Sequence, residues 1–191
     1  MPFTSSKTFA TWLAKHHAQS NGIWIKIAKK ESGIRSVTHA EALEVALCYG
    51  WIDGQRDRFD DEYFLQRFTP RRARSRWSKI NRDSATALIA SGAMQPAGRA
   101  EVDRAKADGR WDAAYSSPKN IEVPEELARG FARNAAARKV FETLDSRNRY
   151  AVLYRIENAK KAETRERLAK KFVAMLAKGE TLHPRPGRKA R

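Results

Sequence analysis

Hydrophobic and polar positions change period along the chain, and each change marks an element. Residues Lys7 to Ala18 place Phe9, Trp12 and Leu13 on one side of a short helix, which Asn21-Gly22 ends. The run GIWIKIAKK then alternates strictly. Ile23, Ile25 and Ile27 share one face and Trp24, Lys26 and Ala28 the other, as in a half-buried strand. After the loop ESGIRS, Thr38-His39-Ala40-Glu41 has capping-box spacing, so the Thr38 hydroxyl and the Glu41 carboxylate can each satisfy an amide at a helix start. That helix carries Ala42, Leu43, Val45, Ala46 and Leu47 around more than half its circumference and stops at Gly50, which predicts burial. WIDGQRDR and EYFLQRF flank Phe59-Asp60-Asp61-Glu62 as a β-hairpin, ended by Pro70 because proline cannot donate to a ladder.

Helices are predicted over about Ser78 to Ser91, stopped by Gly92, and from Pro96 to Gly109. The stretch SSPKNIEVP, 116–124, interrupts all periodicity and is the linker candidate. Beyond Pro124 the pattern is helical throughout: PEELARGFARN, ARKVFETL, SRNRYAVLYRIENAKK and ETRERLAKKFVAMLAKG. In the last of these, Leu168, Phe172, Met175 and Leu176 form an inward stripe. The expected fold is α+β: a small, mostly antiparallel sheet with flanking helices over 1–117, then an all-helical module over 124–178. A basic tail, 180–191, with two prolines and a glycine, is expected to be disordered.

Composition adds charge to this outline. The chain has 191 residues, with 38 basic against 22 acidic side chains, a net charge of +16. The excess grows along the chain: net +2 over 1–60, +5 over 61–120 and +9 over 121–191. Such a field attracts polyanions, including nucleic acid, anionic lipid and acidic protein surfaces. The single cysteine, Cys48, excludes an internal disulfide framework and a multi-cysteine zinc site. No apolar run reaches the length of a signal peptide or a membrane span, so no integral membrane association is expected and the protein is read as cytoplasmic.

The densest basic stretch is RFTPRRARSRWSKIN, 67–81, which has six basic residues, no acid, and Phe68, Trp77 and Ile80 interleaved. Arginine makes planar bidentate contacts to phosphate, and a helix N-terminus adds attraction for anions. The candidate polyanion-binding residues are Arg71, Arg72, Arg74, Arg76, Lys79 and Arg82, with nucleic acid the foremost partner. Phe68 and Trp77 are expected to be core anchors rather than stacking platforms for bases. The second basic run, Arg155 to Lys171, alternates with Glu157, Glu163 and Glu166 and reads as a salt-bridged helical face.

Conventional catalytic patterns are missing. His16-His17 point about 100° apart and cannot share one metal. No HExxH, P-loop or GxGxxG occurs, so no catalytic residue, metal or cofactor is assigned. Cys48 in ALCYG is expected to be a packed thiol. Asp60 and Asp61 read as turn residues, while Asp53 and Asp57 share a strand face and are expected to meet Arg67 across the hairpin. Two alternatives to polyanion binding stay open. One is a small-molecule or enzymatic pocket around Cys48, Trp51, Asp53 and Arg67; the other is a protein partner held by the C-terminal helices.

The run Ala46-Leu47-Cys48, Gly50-Trp51-Ile52-Asp53-Gly54, Arg67-Phe68-Thr69-Pro70-Arg71, Ser75, Trp77-Ser78 and Asn81, with Ala107-Asp108-Gly109-Arg110-Trp111, resembles the YdeI/OmpD-associated, or bacteriocin-protection, family. The C-terminal region from PEEL onward resembles its OmdA module. The resemblance implies a YjbR/CyaY-like (frataxin-like) α+β first region and no established enzyme activity. It marks Trp51, Asp53, Arg67, Trp77 and Asn81 as a family-motif site. It also separates the signature positions Arg67, Arg71, Trp77 and Asn81, expected to organise the fold or a shared site, from the intervening Arg72, Arg74 and Arg76, expected to form a solvent-facing anion surface.

Overall fold

The alternating run IWIKIA becomes strand β1 (Ile23–Ala28), and the two halves of the hairpin become β2 (Trp51–Arg58) and β3 (Tyr63–Pro70). The computed structural model describes residues 1–184. The three strands form an antiparallel sheet in the order β1-β3-β2. Ile23 pairs with Phe68, Ile25 with Gln66 and Ile27 with Phe64, which puts the isoleucines and the buried positions of β3 on one face. Trp24 pairs with Arg67 and so lies on the opposite face.

Helices α1 (Ser6–His16) and α2 (His39–Cys48) cover the isoleucine face. Phe9 and Leu13 of α1 and Ala42 and Ala46 of α2 join Ile25, Ile27, Trp51, Phe64 and Phe68 in one core. Each large apolar side chain buried there contributes roughly 1.5–3 kcal/mol. The Thr38 capping box forms as the spacing predicts, with the Thr38 amide donating to Glu41 Oε2 at 2.8 Å. Gly50 then ends the α2 segment in the left-handed region, φ +74°.

The hairpin carries a bulge between Asp53 and Arg56. Gln66 sits beneath it, only 3% exposed, and its Nε2 donates to the carbonyls of Gly54 (3.0 Å) and Gln55 (3.2 Å). A buried amide is tolerated here because it supplies donors to carbonyls that the bulge takes out of the ladder.

A second core in the same unit joins Leu47, Trp77, Ala85, Val102 and Ala105, contributed in part by α3 (Lys79–Ala90) and α4 (Pro96–Ala107). The backbone of α4 approaches the end of α2 so closely that a Cβ on Gly98 would lie 2.3 Å from the Cys48 carbonyl oxygen. The first unit ends at Ala114.

The second unit begins at Tyr115 and contains α5 (Glu125–Ala132), α6 (Ala135–Glu142), α7 (Ser146–Glu157) and α8 (Ala162–Ala177). Its core is Leu127, Phe131, Phe141, Val152, Leu153, Ile156, Phe172 and Leu176 with small residues between them. The stretch 116–124 is not a bare connector. Ser116 is buried, and Ile121 and Val123 pack on the helical core. Arg165 and Glu166, expected to pair along the face of α8, instead pair across to α5. Arg165 Nε donates to Glu126 at 2.8 Å, and Arg129 bridges Glu125 and Glu166.

Of the tail 180–191, residues 185–191 lie outside the described residues. The part that is described folds back. Leu182 packs on the helical core, while the buried Asn148 accepts from the His183 amide at 2.8 Å and donates to its carbonyl at 3.1 Å. Among the described residues, no helix is long and apolar enough to cross a membrane.

Candidate functional site

The basic stretch forms the connection from β3 to α3, and the structure divides its side chains into two sets. Arg71 turns inward and is 5% exposed. Its backbone amide donates to the Gly50 carbonyl at 2.9 Å, and its Nη1 donates to the Arg76 carbonyl at 3.2 Å. Its Cζ lies 3.6 Å from the centroid of the buried Trp77 ring, a cation–π contact in a desolvated setting. Trp77 in turn packs edge-on against Trp111, centroids 4.9 Å apart. Arg71 therefore leaves the set of polyanion-binding candidates, because its guanidinium is enclosed by the loop it supports.

Ser75 tightens the turn, its Oγ accepting from the Arg72 amide and its own amide donating to the Arg72 carbonyl, both at 2.9 Å. The Ser75 carbonyl accepts from Arg110 Nη1 at 2.7 Å, and Arg110 is paired with Asp108. At the far end, Ser78 caps α3, accepting from the Asn81 amide at 3.1 Å. The loop is thus pinned at both ends and from below. Arg72, Arg74, Arg76 and Lys79 are the side chains it exposes. Arg82 is half-buried and donates to its neighbour Asp83, so it belongs to the helix surface rather than to the loop.

One acid lies beneath this arrangement. Burial holds the carboxyl of Glu101 above its ordinary value, against the opposing pull of Arg104, Arg110 and Arg71. It hydrogen-bonds to Arg104, and its Cγ would be 2.8 Å from a Cβ on Gly50.

The family-motif residues do not converge on a single point. Trp51 is buried and donates from Nε1 to the His17 carbonyl at 3.2 Å. Asp53 meets His39, Oδ2 to Nε2 at 3.1 Å, not Arg67. The register explains the difference: Asp53 pairs with Phe68 on the helix-covered face, whereas Arg67 pairs with Trp24 on the other. Arg67 lies over the Trp24 ring at 5.8 Å. Asn81 occupies the first turn of α3, where its amide meets the Ser78 cap. Burial, with a contribution from Glu44, pushes the Cys48 thiol up, away from the thiolate a nucleophile needs. A shared pocket of Cys48, Asp53 and Arg67 is therefore not assembled.

Sequence reasoning missed His39 as the partner of Asp53, and missed Arg110 as a support of the loop. The Arg110-Trp111 pair within ADGRW was the available signal, but nothing local in the sequence connects it to Ser75 or Trp77. Among the described residues, no group of three or more histidine, cysteine or acidic side chains is placed to hold a metal ion.

Fold and site together define an α+β protein that presents a braced cationic loop and carries a separate helical unit. The chain belongs to the family described as Domain of unknown function (DUF8412), whose model matches residues 1–101, more than half its length. Residues 120–179 match the family described as Bacteriocin-protection, YdeI or OmpD-Associated. Neither match is to a YjbR/CyaY-like family. No curated protein and no solved structure matches the chain.

Proposed function

We propose that this is a non-enzymatic, cytoplasmic binding protein of the bacteriocin-protection type. In this reading it holds polyanions, foremost nucleic acid, on the loop bearing Arg72, Arg74, Arg76 and Lys79. The observation that carries the reading is the division of labour within the loop. Arg71, Trp77 and Arg110 fix the backbone, and the intervening basic side chains face solvent. A braced loop loses little conformational freedom on binding, so more of each phosphate contact appears as affinity. The bacteriocin-protection part of the reading rests on the match over residues 120–179. The YjbR/CyaY-like placement of the first unit rests on the sequence motifs alone and belongs to this proposal.

Fluorescence anisotropy with labelled DNA and RNA across a salt series tests the proposal. Log affinity should fall linearly with log salt, and an R72A/R74A/R76A variant should lower that slope by about 3, roughly one per lost phosphate contact. A variant with an unchanged slope would remove the loop from the interface. The match of 120–179 to an OmpD-associated family supports a second reading, a protein partner held by the helical unit. Capture of one defined partner by both the full chain and the loop variant would favour it.

A further inference from the structure

Helix α7 has two faces. Asn148, Val152, Leu153 and Ile156 enter the core of the second unit. Arg147, Tyr150, Ala151, Tyr154 and Arg155 line a cavity of about 550 Å³ together with Pro118, Ser146 and His183. We infer that this cavity is a binding site for a mononucleotide, with the tyrosine rings taking the base and Arg147 and Arg155 the phosphate.

The lining has the character of a ligand site rather than of a packing defect. Its volume falls within the roughly 300–1,000 Å³ typical of small-molecule pockets, and it combines apolar walls with a few polar groups. Tyr150 and Tyr154 are adjacent, centroids 5.3 Å apart, and Tyr115 backs Tyr154 edge-on at 5.7 Å. The Tyr150 hydroxyl donates to the Ser116 carbonyl at 3.1 Å, which fixes that ring. Aromatic faces held in this way accept any nucleobase by stacking.

Charge sets the rest of the ligand. The lining contains two arginines and a histidine and no acid. The acids at the two ends of α7 are engaged elsewhere: Asp145, the N-cap, accepts from the backbone and side-chain amides of Asn148, and Glu157 accepts from both the hydroxyl and the amide of Ser116. Arg147 and Arg155 are eight residues apart on α7, about 12 Å along the axis, with the two tyrosines between them. A base on the rings therefore leaves its phosphate within reach of either guanidinium, where bidentate hydrogen bonding is available. His183 is placed at the rim by its paired hydrogen bonds with Asn148. An apolar peptide would gain from the rings but would leave this excess of positive charge unmatched. The site is independent of the arginine loop of the first unit.

The test is isothermal titration calorimetry on the full chain with 5′-AMP, alongside adenosine, inorganic phosphate and a single-stranded oligo(dA). AMP should bind one to one and more tightly than adenosine or phosphate. R147A/R155A changes only exposed side chains and should weaken AMP at least ten-fold, and Y154L, which keeps apolar bulk without the ring, should weaken it about five-fold or more. The R72A/R74A/R76A variant should bind AMP unchanged, which separates this site from the loop. No heat with AMP at millimolar concentration would overturn the inference. So would equal binding of AMP and inorganic phosphate, oligo(dA) binding without AMP binding, or loss of AMP binding in the loop variant.

Discussion

Arg71 Cζ lies 3.6 Å from the centre of the Trp77 ring, and both residues are buried. This contact holds a solvent-facing loop from the inside. Trp77→Ala should cost roughly 3–5 kcal/mol, as for other large core truncations. Arg71→Lys keeps the charge but loses the planar group that stacks and donates to Arg76, so it too should destabilise measurably. Urea unfolding would show this, and an R71K midpoint equal to wild type would refute the stacking role.

Gly98 marks the closest approach between α4 and the end of α2. A methyl at this position would meet the Cys48 carbonyl at 2.3 Å and the Met94 sulfur at 2.5 Å. Since one of these is backbone, relief requires the helix to move. Gly98→Ala should therefore destabilise by about 1–3 kcal/mol despite alanine's better helix propensity. Thermal melts of the variant would check it.

Asn148 joins a helix start to the chain near its C-terminal end. Its side-chain amide donates to the Asp145 carboxylate and to the His183 carbonyl and accepts from the His183 amide, so truncation leaves both His183 backbone groups without their partner. Asn148→Ala should cost about 1–3 kcal/mol. Hydrogen exchange at the His183 amide should accelerate by a larger factor than exchange in the core of α8. Uniform acceleration across the second unit would contradict a local clasp.

The pair Glu126–Arg165 gives the second unit a pH dependence of defined sign. The hydrogen bond from Arg165 holds the Glu126 carboxyl below its ordinary value of 4.5. Between the two values the unfolded chain binds more protons than the folded one. The pair's contribution is therefore present above pH 4.5 and lost as pH falls through the lowered value. Glu126→Gln should destabilise by roughly 0.5–1 kcal/mol at pH 7, and its stability should converge on that of the wild type in acid. A difference that persists unchanged at pH 3, well below the ordinary glutamate range, would exclude this origin.

How far the sequence revealed this protein depended on whether a feature was local. The Thr38 capping box, the alternation in β1 and the stripe on α8 are short-range patterns, and each appears in the structure. The solvent-facing role of Arg72, Arg74 and Arg76 was also legible, because they fall between motif positions. The partner of Asp53 was not. Parity within β2 is local, but which face Arg67 shares depends on the register of β3 and on a bulge supported by Gln66. The burial of Arg71 was hidden for a related reason: its ring partner is six residues away, and the braces from Trp111 and Arg110 come from beyond α4. The placement of residues 180–184 was not legible from composition, since the interaction that secures His183 belongs to one asparagine in another helix.

The inward setting of Arg71 and Trp77 separates two properties that usually change together. The exposed side chains at positions 72 and 74 can be altered without touching the buried pair that keeps the loop in shape. The charge this loop shows to solvent is therefore open to drift, or to redesign, while the melting temperature stays where the interior sets it.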